Sequence, residues 1–186
     1  MRRITREVAF EGGWSPGRAA KVAALFDSLA PGWTADHDDP ARTAVLADGV
    51  ARGGLPDGRC LELGSGTGLG TRTLAERFRR VVAIDLSAAM LAAAPPPLAS
   101  RVRADSARLP VRSASVEVVV LVNMLLFPAE VDRVLAPDGV LLWVNTLGDR
   151  TPIHLSPDDV VQALPGSWGG TTARAGSGFW FAAARR

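Results

Sequence analysis

Cys60-Leu61-Glu62-Leu63-Gly64-Ser65-Gly66-Thr67-Gly68 is the stretch on which the fold turns. Its first four residues read as a short buried strand, and the glycines that follow let the backbone turn tightly and come close to a ligand. Leu74 and Phe78 then share one side of a helix, and Val81-Val82-Ala83-Ile84 forms a second apolar strand that ends at Asp85. Strand, glycine loop, helix and strand make one β-α-β unit. The acid falls about 20 residues past the loop, where a carboxylate accepts hydrogen bonds from ribose hydroxyls. Loop and acid together predict a nucleoside site.

The rhythm continues downstream. Ser87 caps a helix carrying Met90 and Leu91 that Pro95-Pro96-Pro97 ends. Strands are expected at 102–104, 116–122 and 140–144, with a helix from Pro128 to Leu135. Continuous Val, Ile and Leu runs mark strands covered on both faces, as in a parallel sheet. Ser156-Pro157 opens a helix that Pro165-Gly166 stops. Thr171 to Ala173 and Phe179 to Ala183 flank Gly176-Ser177-Gly178 as an antiparallel hairpin. Upstream, Ser15-Pro16 starts a helix with Val22, Leu25, Phe26 and Leu29 at helical spacing, stopped by Pro31-Gly32. Asp39-Pro40 starts another, ended by Gly53-Gly54, and Trp33 to Asp39 reads as a polar connection between the two. The fold class is α/β: a Rossmann-like doubly wound sheet, mostly parallel, with a C-terminal antiparallel hairpin and an N-terminal helical lid. The division expected is a lid over 1–55, a cofactor-binding core over 56–150 and a closing helix and hairpin over 151–186, all in a single domain.

Composition narrows the partners. Of 186 residues, 47% are hydrophobic and 22% charged, and the net charge is +2. Lys21 is the only lysine, and the arginines are dispersed, with Arg2-Arg3, Arg79-Arg80 and Arg185-Arg186 as isolated pairs. Nucleic-acid binding needs a concentrated basic stripe, so no nucleic-acid partner is expected. Met1 to Arg6 is charged with no long apolar run behind it, so no secretory signal and no membrane span are expected. Cys60 is the single cysteine and cannot form an internal disulfide, which suits a reducing, cytoplasmic setting. No metal is expected. Oligomeric state is open, a homodimer being one form considered.

The glycine spacing selects among nucleosides. G-x-G-x-x-G needs a third glycine, but counting from Gly64 reaches Leu69 and counting from Gly66 reaches Thr71. G-x-x-x-x-G-K-[ST] is absent. Glu62 before the glycines repels a pyrophosphate and suits a cationic ligand.

Glu62-x-Gly64-x-Gly66-x-Gly68 resembles the first motif of the class I S-adenosylmethionine-dependent methyltransferases. Val82-Ala83-Ile84-Asp85-Leu86-Ser87 with Met90-Leu91 is similar to the second motif, and Ala104-Asp105-Ser106-Ala107-Arg108-Leu109-Pro110 to the third. Leu135-Ala136-Pro137-Asp138-Gly139-Val140-Leu141-Leu142 resembles the segment entering the fifth strand. The resemblance covers roughly 55–150, in family order. It implies that Gly64, Ser65 and Gly66, within a loop closed by Gly68, hold the methionyl part of S-adenosyl-L-methionine, with Glu62 at its amino group. It implies Asp85 at the ribose, Leu86 and the Met90 segment beside the adenine, Asp105 and Ser106 at the adenine edge, and Asn123 near the transferring methyl. Phe26-Asp27-Ser28-Leu29-Ala30-Pro31 is similar to an entry segment in the lids of small-molecule members.

The implied activity is methyl transfer to a small-molecule acceptor by in-line displacement. His37, among Asp36, Asp38 and Asp39, is the candidate general base, and His154 a candidate acceptor contact. Trp33, Leu125, Phe127 and Trp168 are candidate liners of an apolar acceptor pocket. Asn123-Met124-Leu125-Leu126 lacks the proline-proline-aromatic run of amino-methylating DNA enzymes, and no cysteine stands there to attack a pyrimidine. Two alternatives stand beside this reading. One is a nicotinamide-dependent oxidoreductase, which shares the β-α-β unit and Asp85. The other is a non-catalytic S-adenosylmethionine-binding module.

Overall fold

A computed structural model describes residues 2–96 and 99–186. In chain order its elements are α1 (Arg2–Phe10), α2 (Pro16–His37), α3 (Pro40–Arg52), β1 (Arg59–Leu63), α4 (Leu69–Arg77), β2 (Arg80–Asp85), α5 (Ala88–Ala93), β3 (Ser100–Arg103), β4 (Val116–Val122), α6 (Pro128–Val134), β5 (Leu135–Asn145), α7 (Pro157–Ala163), β6 (Trp168–Ala175) and β7 (Gly178–Arg185). The seven strands form one sheet in the order β3-β2-β1-β4-β5-β7-β6. β1 to β5 pair in parallel, and β7 runs antiparallel to both β5 and β6. The order reverses between β1 and β4, the point at which open α/β sheets bind ligands beyond the strands' carboxyl ends.

Strand alternation builds two cores. Leu61, Leu63, Val119, Leu121, Leu141 and Trp143 pack on one face with Val131, Val134 and Val160 from α6 and α7. Cys60, Val118, Val120, Leu142 and Val144 face the other way, against Val45, Leu46, Leu74 and Phe78 from α3, α4 and the turn after α4. Cys60 is buried as a free thiol, and burial with the nearby Glu62 charge pushes its pKa up.

Four sequence expectations change. The charged N-terminus forms α1, which covers the apolar residues after β4 with Val8. Pro31-Gly32 does not stop α2, which runs to His37 with Pro31 inside it, so Trp33 to His37 are helical rather than a polar connection. Proline removes one helix hydrogen bond and crowds the preceding turn, and here tertiary contacts hold the segment beyond it: Thr34 Oγ1 lies 2.7 Å from Thr67 Oγ1 and Arg72 pairs with Asp38 at 3.0 Å. β3 begins two residues early, at Ser100. β5 begins at Leu135 because Leu135 pairs with Val116 before the register shifts to Val140 with Val118. Ser15, Asp39, Ser87 and Ser156 cap the helices they were expected to start. Pro97 and Met1 lie outside the described residues. Among the described residues no helix is long and apolar enough to cross a membrane.

Candidate active site

The loop between β1 and α4 sits at the carboxyl edge of the sheet. Gly64, Gly66 and Gly68 all have positive φ, at 71°, 54° and 82°, a backbone that side chains resist. A β-carbon on Gly64 would meet Met124 Sδ at 2.5 Å, so a side chain here displaces the segment after β4. The loop's N–H groups point inward: Gly64 and Ser65 donate to the Ile84 carbonyl, Gly68 to Ser65, and Gly66 to Asp85 Oδ2 at 2.8 Å. A phosphate cradle needs such groups directed at the ligand, and these four are bonded within the protein. Ser65, only 7% exposed, has a buried hydroxyl without a hydrogen-bond partner among the described residues.

Two acids follow at the ends of the next two strands. Asp85 closes β2, and its backbone carbonyl accepts from Ala104 N–H at 3.0 Å, so Asp105 follows just past the end of β3 at the same edge. The Asp85 carboxylate accepts from Gly66 and Ser87 N–H, each at 2.8 Å. Burial raises its pKa, offset by those backbone donors. Asp105 accepts from Trp14 Nε1 at 2.9 Å and 3.1 Å and from Ala107 N–H at 2.9 Å.

Glu62 lies beneath the loop on the α3–α4 face, 2% exposed, and accepts a hydrogen bond from the Thr71 hydroxyl of α4. Burial raises its pKa to about 7; the Thr71 bond opposes this and the Asp85 charge adds to it. Gly70 leaves room for it, since a β-carbon there would stand 2.5 Å from Glu62 Oε1.

The N-terminal helices roof this edge. Asp27 on α2 accepts from Ser87 Oγ at 2.5 Å and Ala89 N–H at 3.1 Å, and Ser87 donation heads the causes lowering its pKa. The Thr34–Thr67 and Asp38–Arg72 contacts fasten the far end of α2 to the loop and α4. Trp33 Nε1 would lie 3.6 Å from a β-carbon on Gly66.

The scan against protein families matches residues 61–143 to a methyltransferase domain. The structure of DhpI in complex with S-adenosylhomocysteine is similar at 26% identity and TM-score 0.74, covering 92% of this chain and 98% of that one. Residues 61–143 form a methyltransferase domain, and over most of its length the chain is similar to a protein solved with S-adenosylhomocysteine. Two further structures share the fold at lower identity. A methyltransferase from Aquifex aeolicus matches at 18% identity and TM-score 0.65, over 91% of this chain and 98% of that one. A putative methyltransferase from Haloferax volcanii, in complex with the Trm112 activator, matches at 14% and 0.68, over 86% and 96%. No curated protein matches.

Several of the expected site residues have structural partners. Asn123, at φ 49°, donates from Nδ2 to Thr146 Oγ1 at 2.8 Å and accepts from Thr146 N–H at 2.9 Å, bracing the ends of β4 and β5. Met90 is fully buried in the core, Ser106 is buried, and Leu86 is half-buried with its carbonyl accepting from Arg103. Leu125 and Phe127 are covered by Val8, Ile4 and Trp14 from the N-terminal segment. Trp168 is buried on β6, its indole donating to the Pro165 carbonyl.

Both histidines make defined contacts. His37 stacks on Trp33 with centroids 3.8 Å apart, and its Nδ1 lies 2.9 Å from the Trp33 carbonyl. A carbonyl only accepts, so Nδ1 carries the hydrogen and Nε2 of the neutral ring presents a lone pair. Asp38 and Asp39 do not orient it: Asp38 pairs with Arg72 and Asp39 caps α3 through Ala41 N–H. His154 Nδ1 lies 3.0 Å from Asn145 Oδ1, and its ring meets Phe179 edge-on at 5.6 Å.

Trp14 lies outside every stretch read from the sequence, and Asp27 and Thr34 lie in stretches whose reading gives them no partner. Their partners Asp105, Ser87 and Thr67 are 91, 60 and 33 residues away, and no local spacing rule reaches that far.

Proposed function

We propose that this methyltransferase passes a methyl group to a small-molecule acceptor held under the roof of α1 and α2. The observation that carries this reading is the roof itself. It is tied to the glycine loop through Thr34, to α4 through Asp38, to α5 through Asp27 and to the loop after β3 through Trp14. Such a cover suits a compact acceptor. The connection from β4 to β5 holds only the seven-residue α6, and the tail adds α7 and a hairpin, which also supports that size.

The residues fit the cofactor. The inward-turned loop N–H groups disfavour a dinucleotide's pyrophosphate, and the orphaned Ser65 hydroxyl is a polar group awaiting a partner. Gly64, Ser65, Gly66 and Gly68 would support the methionyl part, with Glu62 holding its amino group. Asp85 would accept from the ribose, Leu86 and the Met90 helix would border the adenine, and Asp105 with Ser106 would meet its edge. Asn123, which braces the β4 end, would lie near the methyl. When bound, S-adenosyl-L-methionine supplies a methyl carbon activated by sulfonium.

What the protein adds is alignment and exclusion of water, and positioning alone contributes about 7–11 kcal/mol to such reactions. His37 is the base for acceptors whose attacking atom carries a proton, with Nε2 as the receiving atom. Trp33 and His154 form part of the acceptor wall, while Leu125 and Phe127 back it from the core. Residues 1–55 act as the lid, 56–150 as the core and 151–186 as the closing element, in the cytoplasm.

The test is transfer of a labelled methyl from S-adenosylmethionine to fractionated small metabolites, protein and nucleic acid, with Asp85→Ala as control. Label in the small-molecule fraction, lost in the control, is expected. Label confined to protein or nucleic acid overturns the acceptor class. No transfer despite cofactor binding favours a non-catalytic module.

A further inference from the structure

Trp14 lies in the connection between α1 and α2, outside every motif read from the sequence. Its ring is held edge-on against Phe127, with centroids 5.2 Å apart. Its indole N–H lies 2.9 Å from one oxygen of Asp105 and 3.1 Å from the other. A donor shared in this way sits between the two oxygens. Ala107 N–H takes Oδ1 as well, at 2.9 Å.

A carboxylate has about four acceptor directions. The inner pair faces the indole, and the outer side of Oδ1 faces Ala107. What remains is the outer side of Oδ2, a single acceptor direction on a half-buried residue. An exocyclic amine donates one hydrogen in just such a direction, whereas a ring carbonyl at the same position would meet a like-charged acceptor.

We propose that Trp14 is a positioning residue for nucleobase recognition: it locks the Asp105 carboxylate so that one oxygen faces the base, and thereby sets the preference for an amino over a keto group there. This rests on the cofactor site described above and deepens it. Without the indole donor the carboxylate turns more freely about its side-chain bond, and water takes the vacated direction. Discrimination then falls while the rest of the cofactor keeps its contacts.

The experiment compares the Kd of S-adenosylhomocysteine with that of S-inosylhomocysteine, which carries oxygen where adenine carries nitrogen. The proteins are wild type, Trp14→Phe and Phe127→Leu, each checked for folding by circular dichroism. Trp14→Phe keeps the aromatic contact and removes the donor; Phe127→Leu keeps the donor and removes the contact. Wild type should prefer the adenosyl ligand by tenfold or more, since hydrogen bonds to charged groups are the stronger class. Trp14→Phe should lose most of that ratio, and Phe127→Leu should retain it.

A ratio unchanged in Trp14→Phe overturns the proposal, as does a ratio lost equally in both variants, which would mark Trp14 as packing alone. Tighter adenosyl binding in Trp14→Phe also overturns it, because the indole would then be competing with the base. Should Trp14→Phe not fold, loss of the ratio in a folded Phe127→Leu refutes the proposal and its retention supports it. Failure of wild type to bind either ligand is a failure of the cofactor site, distinct from all of these.

Discussion

Glu62→Gln isolates the cost of a buried acid under the glycine loop. Glu62 is 2% exposed, and its pKa is raised from 4.5 to about 7, first by burial and then by the Asp85 charge, against the Thr71 hydrogen bond. Below pH 4.5 the side chain is protonated in both folded and unfolded chains and contributes no pH dependence. As pH rises from 4.5 to about 7 the unfolded chain releases the proton and the folded one keeps it, so stability falls across that window and stays lower above it. Each pH unit in the window is worth about 1.4 kcal/mol, so the total is about 3 kcal/mol. Glutamine keeps the shape and an oxygen for Thr71 but carries no charge at any pH. The assay is urea unfolding of both proteins at pH 4.5, 6 and 8. The difference between them should move by about 3 kcal/mol in favour of Glu62→Gln from the lowest pH to the highest, or roughly 6–12 °C in Tm for a chain of this size. Any fixed cost of the extra amide hydrogens cancels in that difference. Parallel curves for the two proteins would show that Glu62 titrates in the folded chain as it does in the unfolded one and refute the reasoning.

Other outcomes follow from single contacts. Ser65→Ala removes a buried hydroxyl without a partner among the described residues and should stabilise the ligand-free protein by about 1 kcal/mol in urea unfolding; it should also weaken S-adenosylhomocysteine binding in calorimetry. Asn123→Ala strips both hydrogen bonds from Thr146, which is 3% exposed, and leaves alanine at φ 49°; a loss of about 2–4 kcal/mol is expected, part of it regained in Asn123→Gly. Gly64→Ala places a β-carbon 2.5 Å from Met124 Sδ at φ 71°, and thermal melts should show destabilisation that a shorter residue at 124 partly relieves.

Much of the fold is legible because its signals are local. Continuous apolar runs at Val81 to Ile84 and Val116 to Val122 announce covered parallel strands, and Ser15, Asp39, Ser87 and Ser156 mark helix starts through their own side chains. The glycines and Asp85 are legible for the same reason: their spacing along the chain is the geometry of one β-α-β turn. The roof is not. Pro31 carries a local stop signal, and it is overridden by contacts to Thr67 and Arg72 more than thirty residues away in sequence. α1 is nearly invisible because its charged face dominates its composition and its apolar face has a purpose only once Leu125 and Phe127 are present. Roles for Asn123 and Trp14 depend on partners across the sheet edge, which no pattern within the segment reports.

A crystal structure of the protein with S-adenosylhomocysteine addresses the account most directly. It should show the adenosine lying across the loop of Gly64 to Gly68, its ribose hydroxyls within hydrogen-bond reach of Asp85 and its amino group on the free side of Asp105 Oδ2. An adenosine found elsewhere on the molecule, or with both carboxylates turned away from it, would contradict the account.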